Sequence, residues 1–198
     1  MTVSSAPSAD RIAAILAFLD QANRLKDTLR SGRTPEGRQE STAEHTWRLC
    51  LLVMLLADGL DGVDVLRLLK ICIVHDLGEA ISGDIPAVDQ RAGDDRAARE
   101  RADLLTLCTA LPDDLRAEIV ALWDEYAAAS SPEAIMAKGF DKIETMLTHT
   151  SGKNPDDFDY GFNLGYGVSA TERHPLLKAV RAQVDDRTRE IMKRRTQV

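Results

Sequence analysis

Apolar residues recur at helical spacing along most of the chain. Ile12, Ile15, Leu16 and Leu19 share one face of a first helix, which Asp10 caps and which runs to about Leu29. A polar stretch from Arg30 to Ser41 carries Gly32, Pro35 and Gly37 and reads as a loop. Ser41 or Thr42 caps a second helix with Glu44 in its first turn, apolar from Leu49 to Leu56 and broken at Asp58-Gly59. A third helix opens between Asp61 and Asp64 and closes near Glu79 or Ile81, before a loop marked by Gly83 and Pro86. A highly charged helix, read as a solvated face, runs from about Asp94 to Leu111. Pro112 starts the next, to Ala129, and Ser131-Pro132-Glu133 another, to about Thr150. Gly152 to Tyr166 is rich in turn formers, and His174-Pro175 opens a last helix ending in Lys193-Arg194-Arg195. No run reads as a strand. The pattern predicts an all-α fold in one domain over residues 1–198, a bundle of six or seven helices. Its core spans about 12–150, with a loop and C-terminal helix after it.

Composition supports this picture. Aromatics make up only 5%, while Ala and Leu are abundant, which favours helix over strand. A net charge of -7 makes the surface a poor partner for a nucleic-acid polymer or an anionic membrane. The longest apolar run, Leu49 to Ala57, is far shorter than the roughly 20 residues a membrane-spanning helix needs. Met1 to Asp10 lack the basic start and apolar stretch of a secretory signal. Cys50, Cys72 and Cys108 all fall in apolar helical patterns and read as buried free thiols of a reducing cytoplasm. Trp47 and Trp123 read as core anchors, and His149 and His174 as structural or surface residues.

The chemistry concentrates at His75-Asp76, directly after the apolar run Ile71-Cys72-Ile73-Val74. A charge there is costly unless it is paired or binds a metal. His45 lies upstream on the second helix, and Asp141 far downstream beside Ile143, Met146 and Leu147. Imidazole and carboxylate are the donors that borderline and hard divalent ions take. Three helices converging with two of each would hold one ion and leave a coordination position open for chemistry. Glu79 lies four residues after His75, on the same helical face, and Asp84 follows in the loop. A glutamate near a helix C-terminus opposes the helix dipole, which favours a functional role for Glu79. Carboxylates so placed can take a proton from water or give one to a leaving oxygen. Arg30, Arg33 and Arg38 supply cations suited to phosphate oxygens.

These residues resemble the HD-domain metal-dependent phosphohydrolases, and within them the 5′-deoxynucleotidase branch. The stretches that carry the likeness are Glu40 to His45, Val74 to Pro86, Leu111 to Arg116 and Lys138 to Lys142. The resemblance implies an all-α fold and one divalent ion (Mn, Co, Fe, Ni, Zn or Mg) on His45, His75, Asp76 and Asp141. It implies hydrolysis of nucleoside 5′-monophosphates to nucleoside and phosphate, with a deoxyribose preference, by a cytoplasmic homodimer. Glu79 and Asp84 match the branch's catalytic and substrate-contacting acids, and Arg30 its phosphate-contacting arginine. Ser31 stands where the bacterial deoxynucleotidases carry a tryptophan that crowds the ribose 2′ position, so phosphomonoester hydrolysis is the firmer expectation than sugar selectivity. Two other readings stay open: an HD phosphohydrolase acting on a phosphodiester or nucleoside triphosphate, and a non-enzymatic metal-binding regulatory domain.

Overall fold

Three amphipathic helices form the centre: α2 (Thr42–Leu55), α3 (Val65–Val74) and α7 (Pro132–Ser151), each packed on the other two. Leu49, Val53, Leu68, Ile71, Phe140, Ile143 and Met146 meet between them with no solvent exposure. Burying such side chains contributes about 1.5–3 kcal/mol each. The computed structural model describes residues 6–86 and 95–196. Around the central three lie α1 (Ala9–Ala22), the short α4 (Glu79–Ser82), α5 (Arg96–Leu107) and α6 (Asp113–Ala128). On the far side α10 (Pro175–Thr196) packs along α7 and adds Leu177 and Val184 to the core, with α8 (Gly161–Gly165) and α9 (Val168–Thr171) tucked beside it. The all-α expectation holds: seven helices of ten residues or more are present among the described residues.

Local chemistry sets several boundaries as expected. The Ser41 hydroxyl accepts from the Glu44 amide while the Glu44 carboxylate accepts from the Ser41 amide, a closed capping box at the start of α2. Asp64 caps α3 and Ser131 caps α7, with Pro132 in its first turn. Ser8, rather than Asp10, caps α1; Asp10 falls inside the first turn, where its charge still favours the helix N-terminus. Helix α1 stops at Ala22 and passes through a 3-10 turn to Lys26 instead of reaching Leu29. Asp94, expected to begin the charged helix, lies outside the described residues, as do the first five residues of the chain.

Three expectations are corrected. The polar stretch after α1 is a β-hairpin, β1 (Leu29–Arg33) antiparallel to β2 (Gln39–Ser41), paired at Leu29 with Ser41 and Arg33 with Gln39. Its ladder is made of backbone bonds, so no apolar alternation marks it in the sequence. Trp47 is 65% exposed, on the outer face of α2, whereas Trp123 is buried as expected. The third helix ends at Val74, not at Glu79 or Ile81. After it the chain folds through consecutive turns, with Leu77 N–H bonded to Val74 O (3.1 Å) and Glu79 N–H to Asp76 O (3.0 Å). Gly78 lets this turn pack tightly, since a Cβ there would sit 2.6 Å from the Glu100 carbonyl oxygen of α5. A helix carrying a side chain there could not approach α5 so closely.

Gly139 makes the equivalent close approach between α7 and α10. A Cβ there would lie 2.2 Å from Leu177 Cδ1, inside the core. Gly139→Ala is expected to cost about 1–3 kcal/mol in urea denaturation through overpacking. Adding Leu177→Ala should give a double variant less destabilised than the two separate losses together. Ser41→Ala removes one half of the capping box and is expected to cost about 1 kcal/mol. The Arg38 guanidinium lowers Glu44 from its usual 4.5 to about 2. A depressed carboxylate stabilises the fold above its unfolded pKa and loses that contribution as pH falls toward the folded value. Glu44→Ala should therefore destabilise at pH 7, and the gap to the unaltered chain should narrow between pH 4.5 and 2.

Candidate metal centre

Helix α2 brings His45 and α3 brings His75 into one buried spot beneath α7, which contributes Asp141. The imidazole centroids are 5.5 Å apart. Each ring is oriented through Nδ1: His45 bonds the Glu144 carboxylate, and His75 lies 2.7 Å from the Cys72 carbonyl. A carbonyl only accepts, so His75 Nδ1 is the donor and Nε2 is the ring nitrogen turned toward the centre. Both Nε2 atoms are buried and make no hydrogen bond. Each faces carboxylates instead. His75 Nε2 is 3.1 Å from Asp76 Oδ2 and 3.9 Å from Asp141 Oδ1, and His45 Nε2 is 3.7 Å and 3.3 Å from the same two atoms.

Two buried imidazole nitrogens without partners, converging on two carboxylates, are what a divalent cation would satisfy. His45, His75 and Asp76 place one donor atom each within 4.8 Å of one another, close enough to share an ion. The remaining Asp141 oxygen is held by Tyr126 Oη (2.9 Å) and Lys142 Nζ (2.9 Å), which fixes the carboxylate in place. Burial and Arg30 push His45 down, yet Glu144 and Asp141 outweigh them and lift it to about 10, a sign of how much negative charge surrounds it. Glu40, His45 and Glu144 also lie close together. There Arg48 Nε donates to Glu144 (2.6 Å) and Thr148 donates to Glu40 (3.0 Å), so the group is already joined by hydrogen bonds.

The centre opens on a cavity of about 620 Å³, a size suited to a small organic ligand. Arg30 enters it from β1 and donates to Asp76 Oδ2 (3.1 Å) and Thr145 Oγ1 (3.3 Å). Burial works against its charge, but Asp76, Asp84 and Glu79 hold the guanidinium protonated. Glu79 and Asp84 also line the cavity, as does Ser31. The buried Glu79 accepts from Thr42 Oγ1 at 2.9 Å. Burial, then Asp76 and Asp84, push Glu79 up to about 9, and burial also raises Asp84. Glu79 therefore holds a proton at neutral pH.

The structure brings together His45, His75, Asp76, Asp141, Glu79, Asp84, Arg30 and Ser31, but three details of the sequence reading change. Glu79 opens α4, so the argument from an opposed C-terminal dipole does not apply. Arg33 bonds the Gly37 carbonyl and Arg38 pairs with Glu44, so of these three arginines Arg30 alone lines the cavity. Helix α5 is not simply a solvated face, since Arg96 and Glu100 line the cavity. Tyr126, Lys138, Lys142 and Thr145 line it as well, and Glu144 and Arg48 stand behind His45. A signal for part of this was present: Asp141, Glu144 and Thr148 form a polar row along one face of an otherwise apolar helix. Cys72 serves through its carbonyl, with burial pushing its thiol well above the usual range, and Cys50 is only half-buried. His149 is structural, bonded to Asn163 at 2.7 Å, though it also borders the cavity.

A model of the HD domain matches residues 22–181, most of the chain. The chain belongs to the HD-domain family. Among HD-domain relatives, human 5′-deoxynucleotidase HDDC2 is 32% identical over 73% of this chain and 75% of its own length. The 5′-deoxynucleotidase hdd1 of Schizosaccharomyces pombe is 36% identical over 83% and 85%. A crystal structure of a predicted metal-dependent phosphohydrolase from Magnetospirillum magnetotacticum superposes with a TM-score of 0.74 at 29% identity, covering 91% of this chain and 94% of that one. The PH0347 protein of Pyrococcus horikoshii gives 0.66 at 26% identity, covering 90% and 98%.

If the imidazoles accept a cation, binding to the folded state alone stabilises it by mass action. Adding manganese or cobalt at a hundredfold excess over Kd is expected to raise stability by about 2.7 kcal/mol, read as a higher Tm. Chelation should reverse the shift. In His75→Ala the metal-dependent shift should shrink or vanish.

Proposed function

We propose that this HD-domain protein is a metal-dependent phosphomonoester hydrolase acting on (deoxy)nucleoside 5′-monophosphates, releasing nucleoside and phosphate. The observation that carries the reading is the pair of buried, unpartnered Nε2 atoms facing Asp76 and Asp141 at the wall of a cavity that also holds Arg30, Glu79 and Asp84. His45, His75, Asp76 and Asp141 would hold one divalent ion. That ion supplies Lewis acidity, which polarises the phosphoryl group and activates water. Arg30 neutralises and orients the phosphate oxygens. Glu79 and Asp84 line the cavity together and would divide the proton handling, the ionised carboxylate taking a proton from water and the protonated one giving a proton to the departing 5′ oxygen. Tyr126 and Lys142 hold Asp141 in place, and Glu144 does the same for His45.

Ser31 borders the cavity, and its small side chain would leave room for a ribose 2′-hydroxyl. The chain would work as one domain in a reducing cytoplasm, consistent with the free, buried Cys72 and Cys108. No helix among the described residues is long and apolar enough to cross a membrane. Exposed Trp47, Leu55 and Leu66 on α2 and α3 support self-association as a homodimer.

The decisive experiment is a phosphate-release screen of ribo- and deoxyribonucleoside monophosphates across several divalent ions. Asp76→Ala and Glu79→Ala are each expected to lower the rate by about 10² or more. Undiminished release by either variant would remove the mechanism. No release from any nucleoside monophosphate would favour a regulatory metal-binding domain. With Ser31 in place, similar rates are expected on both sugar series, and Ser31→Trp should depress the ribonucleotides selectively.

A further inference from the structure

One wall of the cavity is aromatic. Phe158, Phe162 and Tyr166 line it, all half-buried, in a segment that composition marks only as turns. Phe162 and Tyr166 stack on each other, centroids 5.2 Å apart and 29° between planes. Phe158 packs edge-on against His149 at 5.0 Å.

This wall is anchored from two directions. Arg181, buried in α10, donates to the carbonyls of Asn163 (2.9 Å), Leu164 (3.0 Å) and Tyr166. These lie at and just after the C-terminal end of α8, so one guanidinium satisfies several carbonyls that a short helix leaves open. From α7, His149 bonds the Asn163 side chain at 2.7 Å. Arg181 Nε pairs with Asp185 at 3.2 Å, which meets the buried charge, and the remaining guanidinium nitrogens hold two stacked rings at the edge of the cavity. The wall is also close to the chemistry. Lys142 Nζ sits 2.9 Å from Asp141 Oδ2 and 5.4 Å from the Tyr166 ring centroid, so one ammonium spans the gap between them.

We propose that Phe158, Phe162 and Tyr166 form the nucleobase subsite of this cavity, a preorganised apolar wall against which a planar base packs. The proposal rests on the nucleotide reading above and adds where the base lies. Base–aromatic stacking contributes about 1–3 kcal/mol and tolerates any base, because every base presents a π-face. The wall therefore selects for the presence of a base more than for its identity. Purines, with the larger face, are held tighter than pyrimidines.

The test compares a deoxynucleoside monophosphate with 2-deoxyribose 5-phosphate, which lacks the base. In Phe162→Ala the ratio of their kcat/KM values is expected to fall about tenfold, the equivalent of about 1.4 kcal/mol of lost stacking. The fall should appear mainly in the nucleotide's KM. Phe162→Leu keeps bulk without a π-face; it should show a smaller fall in the same ratio, and it guards against a misfolded alanine variant. An unchanged ratio in both variants overturns the proposal. Titration of thymidine or deoxyadenosine into the metal-loaded protein gives a readout independent of turnover. Binding that weakens in Phe162→Ala supports the wall even if no nucleotide is hydrolysed, and binding that is equal in the variant rejects it. Failure of the hydrolase reading alone would appear as nucleoside binding without phosphate release.

Discussion

Helix α7 carries Asp141, Glu144 and Thr148 into a core otherwise built from Phe140, Ile143 and Met146. Buried carboxylates are tolerable only with charge or hydrogen bonds to meet them, and the surrounding helices supply these. His45 of α2 meets Glu144 and faces Asp141; Arg48 closes on Glu144 from one turn further along α2; Tyr126 of α6 reaches Asp141. Two of the helices that pack on α7, α2 and α6, are thus also the ones that satisfy its acids. Packing and electrostatics specify the same arrangement, which is what makes a buried polar centre compatible with a unique fold.

Within that frame the residues around the cavity differ in how rigidly they are held. Asp141 has Tyr126 on one oxygen and the histidines near the other. Arg30 stands on a hairpin whose turn is bonded onward, Lys153 N–H to Thr34 O at 3.0 Å, which ties it to the loop after α7. Glu79 begins a four-residue helix packed on α5, and Gly78 permits the close contact. His45 and Asp141 are therefore set by long helices, and Arg30 and Glu79 by short elements clamped to them.

The long helices were legible in the sequence because their apolar spacing and caps agree: Ser41 with Glu44, Asp64, and Ser131 with Pro132 all mark true starts. The residues brought together at the centre were legible because His75-Asp76 follows an apolar run, where burial restricts what such groups can do. The hairpin was not, since its pairing lives in backbone bonds and Arg30-Ser31-Gly32-Arg33 has no apolar alternation. The exposure of Trp47 was not either, because amphipathic spacing says which residues share a face but not which face meets the core. Nor could spacing reveal the roles of Arg96, Lys138 or Arg181, whose partners are distant in the chain and fixed only by helix packing.

The two imidazoles are steered by unlike means. His75 is oriented by a main-chain carbonyl, that of Cys72, within the last turn of its own helix. His45 is oriented by a side chain, Glu144, borrowed from another helix. No substitution can delete a backbone oxygen, so the first arrangement persists through mutation as long as α3 stays helical. The second depends on one codon. Diverging copies of this protein can retune the basicity of one ring by exchanging residue 144 while the other stays constant, which gives the centre a fixed half and an adjustable half.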